Sequence, residues 1–96
     1  MSIRVVAKHF VKPEKLDDFI RLTKQLAEST NKEDWGCINY AVYQDINDPN
    51  VVAMLEEWES QEAIDNHLKA QHFLDLLPAM RECLGDPSHF NNFKAL

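Results

Sequence analysis

The run VVAMLEEW, residues 51 to 58, is apolar on both of its alternating sets of positions: Val52, Met54 and Trp58 on one, Val51, Ala53 and Leu55 on the other. Successive side chains of a strand point to opposite faces, so a strand of this kind needs cover on both sides. IRVVAKHFV, residues 3 to 11, repeats the pattern, with Val5 and Ala7 set against Val6 and Phe10. A single layer of helices covers only one face of a sheet. The other face is therefore expected to pack against a second copy of the chain in a two-fold homodimer.

The remaining pattern supplies one helical layer. Residues 3 to 11 end at Lys12-Pro13, where a proline can open a helix because its missing N–H is not needed there. From Pro13 to about Thr30, Leu16, Phe19, Ile20, Thr23, Leu26 and Ala27 recur at helical spacing, with charged residues around the rest of the wheel. WGCINYAVYQD, residues 35 to 45, and residues 51 to 58 read as a hairpin joined by the turn formers 46 to 50. Ser60 can cap a short helix running to about Ala70. Phe73, Leu76, Leu77, Met80 and Leu84 continue helical spacing; Pro78 is expected to kink or restart that helix, and Gly85 to close it in a left-handed cap. SHFNNFKAL, residues 88 to 96, reads as a fourth strand. This order is that of a ferredoxin-like βαββαβ antiparallel sheet with helices on one face, an α+β fold occupying residues 1–96 as one domain.

Composition removes several classes of function. Ten basic against sixteen acidic residues give a net charge of −6, which repels phosphate backbones and argues against nucleic acid as a partner. No stretch approaches the roughly 18 consecutive apolar residues of a membrane span. The start, MSIRVVAKHF, lacks the pattern of an export signal, so a cytoplasmic location is the expectation. Cys37 and Cys83 form neither a zinc knuckle nor a redox pair and read as buried thiols. With only Gly36 and Gly85 in the chain there is no glycine-rich phosphate cradle, and no nucleophile elbow appears. Chemistry on this chain has to come from acid–base groups and a shaped apolar cavity.

Those groups cluster between residues 55 and 73. Alternation places Glu56 on the same face as Trp58. On the helix-covered face, Glu56 is a carboxyl beside an indole in partly apolar surroundings, suited to proton transfer or to orienting a histidine; at the end of the sheet it simply reaches water or a lysine. His67 follows Ala63 and Ile64 at helical spacing and should face the sheet, either as a proton carrier or as a satisfied core residue. His72 lies five residues further on. In one continuous helix the two rings would splay by about 140°, so they converge only if the helix breaks near residues 69 to 71. A metal is not expected, because H-x-x-x-x-H is not a zinc-protease pair and no companion ligands stand close in sequence.

GCINY at 36 to 40, LEEWES at 55 to 60 and NHLKAQHF at 66 to 73, together with KPEK at 12 to 15, resemble the antibiotic biosynthesis monooxygenase family, and within it the quinol monooxygenase branch. The resemblance implies a dimeric α+β barrel and oxygenation of a small aromatic substrate by O2 without metal, flavin or other cofactor. It implies His67 or His72 as base, Glu56 as the orienting partner or alternative base, and Trp58, Asn39, Tyr40 and Phe73 as substrate contacts, although Asn39 and Tyr40 point to opposite faces. Anthrone-oxidising relatives carry Asn and Tyr where this chain has Met54 and Ile64, and haem-degrading relatives carry their iron-ligating His where it has Leu77. These departures point away from anthrone oxidation and from haem; the substrate expected from Glu56, Trp58, His67 and His72 is a small quinol-like or polycyclic aromatic. Two other functions fit the same residues: an isomerase of a small polar metabolite, and a non-catalytic dimeric ligand-binding or stress-response module.

Overall fold

The computed structural model describes residues 2–96. A first strand, β1 (Ile3–Val11), leads through a 3-10 turn at Pro13–Lys15 into helix α1 (Leu16–Glu33). A hairpin of β2 (Cys37–Gln44) and β3 (Val51–Trp58) follows, then helices α2 (Gln61–His67) and α3 (Gln71–Glu82), and finally β4 (Leu84–Lys94). The four strands are antiparallel in the order β2-β3-β1-β4, so the fold is ferredoxin-like with all helices on one face.

Register follows from the apolar alternation. Val5 stands opposite Glu56 and Ala7 opposite Met54, which places Val5, Ala7, His9 and Val11 on the same covered face as Val52, Met54 and Trp58. Against this face α1 lays Phe19, Leu22, Leu26 and Ala27, with Phe19 and Leu26 almost fully enclosed. The far side of the sheet carries Val6, Phe10, Tyr43, Leu55 and Phe93; of these, Tyr43, Leu55 and Phe93 are exposed. In the hairpin turn the Asp45 carboxylate accepts from the amides of Asn47 and Asp48, the local chemistry by which Asp nucleates a turn.

The α3–β4 junction departs from the sequence reading. Pro78 sits inside a continuous α3 and does not restart it. A proline costs one backbone hydrogen bond in mid-helix, and here Leu76, Leu77 and Met80, packed on or within the core on either side, hold the helix together. Gly85 forms no left-handed cap: it is extended and belongs to β4, and Gly36 is the glycine with positive φ, at 79°. The carbonyls at the end of α3 find other donors. Lys12 gives its backbone N–H to Cys83 at 2.8 Å and its ammonium to Glu82 at 3.2 Å, so the helix end is satisfied from across the fold.

Candidate functional site

Between the sheet and its helical cover lies a cavity of about 770 Å³ walled mostly by hydrocarbon, including Val5, Phe19, Leu26, Met54, Ile64, Leu77 and Met80. Cavities of this volume accept a small organic ligand. Its polar lining comes from Tyr40, Glu56, Gln61 and His67 together with His9, Arg81, Ser88 and Asn92.

On β3, Glu56 lines the cavity and Trp58 is wholly buried. The Trp58 indole Nε1 donates to Glu56 Oε1 at 2.9 Å. Burial raises the Glu56 carboxyl to about 7 against the smaller opposing effect of that hydrogen bond, so near neutrality it exists in both protonation states. Tyr40, opposite Glu56 on β2, also lines the cavity. Because β2 is an edge strand, the backbone of Tyr40 would lack partners on its outer side. Asn31 of α1 supplies them, accepting from the Tyr40 N–H at 2.9 Å and donating to its carbonyl at 2.7 Å. Burial and the nearby Glu56 hold the Tyr40 phenol well above its ordinary pKa, which keeps its proton in place.

His67 closes α2 with its ring among aromatic neighbours: centroids lie 4.9 Å from Trp58, 5.5 Å from Tyr40 and 5.0 Å from Phe73. Its Nδ1 is 2.6 Å from Oδ2 of Asp34, the residue that caps the end of α1. Asp34 is as enclosed as the histidine, with 8% of its side chain exposed against 5% for His67. A carboxylate only accepts, so Nδ1 donates and, in the neutral ring, the lone pair resides on Nε2; His67 is one of the residues that line the cavity. Burial lowers the His67 pKa, with the Asp34 carboxylate opposing, and the neutral ring is favoured.

One glycine makes this pairing attainable. At Gly36 a Cβ would lie 2.5 Å from the Cβ of Ala63, and φ is +79°. The segment after α1 therefore presses directly on α2, carrying Asp34 up to His67, while Ser60 Oγ caps α2 by accepting from the Ala63 N–H at 3.2 Å. Residues 68–70 interrupt the helical path, and α3 restarts at Gln71 with the His72 ring centroid 6.2 Å from that of His67. The two histidines do converge, through the break that convergence requires. Asp34 stands between them, with Oδ1 3.1 Å from His72 Nε2 in an orientation too oblique for a hydrogen bond. His72 Nδ1 lies 3.7 Å from the exposed carboxylate of Glu33.

The cavity thus gathers Glu56, Tyr40, His67 and Phe73, with Trp58 buried behind Glu56. His72 stands one layer back, beyond Asp34. Asn39 pairs with Glu57 on the opposite face of the sheet and does not line the cavity. The partner that orients His67 is Asp34, not Glu56, whose Oε1 accepts from the Trp58 N–H. Asp34 carried no sequence signal, since its partner lies 33 residues away. Toward the other end of the cavity a second polar pair went unread: His9 Nδ1 and Ser88 Oγ, 2.6 Å apart. Burial lowers the His9 pKa to about 4 and keeps that ring neutral.

The sequence model of the antibiotic biosynthesis monooxygenase family matches residues 2–79. The chain belongs to this family. Its relatives include an uncharacterised protein of Synechocystis, 30% identical over 84 residues, which are 88% of this chain and 56% of that one. YcnE of Bacillus subtilis, provisionally named a monooxygenase, is 29% identical over 80% of each chain. This chain therefore spans little more than half of the Synechocystis relative. Among solved structures, a conserved protein from Methanosarcina mazei superposes with a TM-score of 0.92 at 41% identity, covering 98% of this chain and 92% of that one. A structure described as an antibiotic biosynthesis monooxygenase gives 0.91 at 29% identity, covering 98% of each. Family membership supports a monooxygenase-like function in general terms, and no described helix is long and apolar enough to cross a membrane.

Proposed function

We propose that this family member oxygenates a small quinol-like aromatic with O2, drawing every electron from the substrate and using no metal or flavin. The observation that carries the proposal is the Asp34–His67 pair, a buried carboxylate that fixes one imidazole tautomer and offers Nε2 to an apolar cavity. In that setting Nε2 takes the hydroxyl proton of a quinol, and the resulting anion is electron-rich enough to reduce O2. One oxygen atom bonds to a ring carbon, which gives up its hydrogen. The O–O bond then breaks and the second oxygen leaves as water, converting a dihydroxybenzene and O2 into a hydroxyquinone and H2O. All four electrons come from the ring. Glu56, raised to about 7 by burial, is the proton donor to the departing oxygen. Tyr40, Phe73 and the apolar walls hold the ring and exclude water that would quench the reactive pair.

The exposed apolar side chains Tyr43, Leu55 and Phe93 on the far side of the sheet support the companion proposal that the chain works as a homodimer packed through that face. Sedimentation equilibrium of the wild type and of L55K tests it: a dimer that the lysine dissociates is expected, and a wild-type monomer contradicts it. For the reaction, metal-stripped protein is incubated with a panel of quinols under 18O2. Oxygen uptake above buffer, with one labelled atom in the product, is expected. Turnover that proceeds without O2 would move the chemistry to isomerisation.

A further inference from the structure

His67, Asp34 and His72 also form a compact cluster of donor atoms. Each presents one donor atom, and the three atoms lie within 4.8 Å of one another. Around a tetrahedral zinc ion, nitrogen and oxygen donors at ~2.0–2.2 Å stand about 3.4 Å apart. Both imidazoles already stand somewhat inside that spacing from the Asp34 carboxylate, one at each oxygen: 2.6 Å from His67 Nδ1 to Oδ2, and 3.1 Å from His72 Nε2 to Oδ1, so a cation entering between them parts the donors by less than an ångström each. His72 Nε2 is buried and has no aligned hydrogen-bond partner. The carboxylate of Glu33, 3.7 Å from His72 Nδ1, stands where an outer carboxylate would orient a ligating imidazole. Two imidazoles and one carboxylate form a donor set for a late first-row divalent cation.

We infer that Asp34, His67 and His72 form a binding site for such a cation, zinc being the simplest representative, and that occupancy switches off the base. Binding replaces the proton shared between His67 Nδ1 and Asp34. A neutral imidazole carries one N–H, so a ring that ligates through Nδ1 holds its proton on Nε2. The nitrogen facing the cavity then changes from acceptor to donor, and the quinol proton has nowhere to go. The sequence gap of five between the histidines, which matches no familiar zinc pattern, becomes a ligand set because the helix breaks at residues 68–70 and the end of α1 supplies the third member.

The binding arm stands by itself; the inhibition arm rests on the function proposed above. Titrating the full metal-free chain with Co(II) and then Zn(II) reads binding directly. One equivalent taken up, without a thiolate-to-cobalt charge-transfer band, is expected. H72A and D34N should each weaken uptake at least ~10-fold, whereas C37S should leave it unchanged. Because H72A or D34N could perturb folding, 15N NMR of the wild-type His67 ring is the second readout: zinc should move the proton from Nδ1 to Nε2. Uptake that survives both H72A and D34N, uptake lost in C37S, or a His67 tautomer indifferent to zinc overturns the site. Oxygen uptake with quinol should fall in proportion to zinc occupancy. A metal-free protein that never consumes oxygen removes the proposed function and leaves the binding result intact, while active protein that takes up zinc without losing rate removes the switch alone.

Discussion

Replacing Glu56 by Gln isolates the burial of one carboxyl. The Glu56 pKa rises from 4.5 to about 7, and desolvation is its main cause. At about 1.4 kcal/mol per pKa unit, the folded state forfeits up to ~3 kcal/mol when this group ionises. The sign follows from proton uptake. A carboxyl raised in the folded state contributes fully below 4.5, and that contribution is lost as pH rises to about 7, beyond which the loss stays constant. Gln is nearly isosteric, its amide oxygen can still accept from Trp58 Nε1, and it has no proton to lose. Urea unfolding followed by circular dichroism should therefore find E56Q close to wild type at pH 4.5 and more stable by roughly 2–3 kcal/mol at pH 8. Wild-type and E56Q curves running parallel across this range would refute the burial argument, because an exposed carboxyl contributes no such slope. The same variant should oxygenate quinols more slowly, having lost the proton donor.

Other substitutions test the rest of the framework. G36A meets both the +79° φ and a 2.5 Å approach to Ala63, and should lose at least ~2 kcal/mol of stability in thermal melts. His9, lowered to about 4, contributes stability at neutral pH that is lost as pH falls from 6.5 toward 4; in urea titrations at pH 7 and pH 4 the stability of wild type relative to H9L should fall by as much as ~3 kcal/mol, the opposite contribution of Glu56 cancelling in that difference. S60A removes the oxygen that accepts the Ala63 N–H and should cost about 1 kcal/mol, read from the same denaturation curves.

Much of the fold is local in origin and could be read locally. Alternation in residues 51 to 58 places Glu56 with Trp58, and the register with Val5 and Tyr40 agrees. Helical spacing places His67 toward the sheet, and helix geometry makes a break near residues 69 to 71 the condition for His72 to converge on it; the structure meets that condition one residue earlier, at residues 68–70. What escaped the sequence depends on contacts between distant segments. Asp34 meets His67 only because Gly36 lets the end of α1 press against Ala63, an approach no linear pattern encodes. Gly85 looked like a helix cap because its neighbours are helical; Lys12, far away in sequence, does that work and frees the glycine to start a strand. Pro78 survives inside α3 for the same kind of reason, since packing outweighs one missing hydrogen bond. The metal reading was set aside for want of a third ligand near the histidines in sequence, and Asp34 occupies that place in space.

The central claim is that Asp34 prepares His67 to act as a base inside the cavity. The most direct test is the rate of oxygen consumption at saturating quinol by metal-free wild type, H67A and D34N, each checked for native far-ultraviolet circular dichroism. General-base catalysis by a positioned side chain contributes about 10²–10⁴-fold, so both variants should fall by that order, D34N with its histidine still present. A D34N enzyme that turns over as fast as wild type would contradict the account.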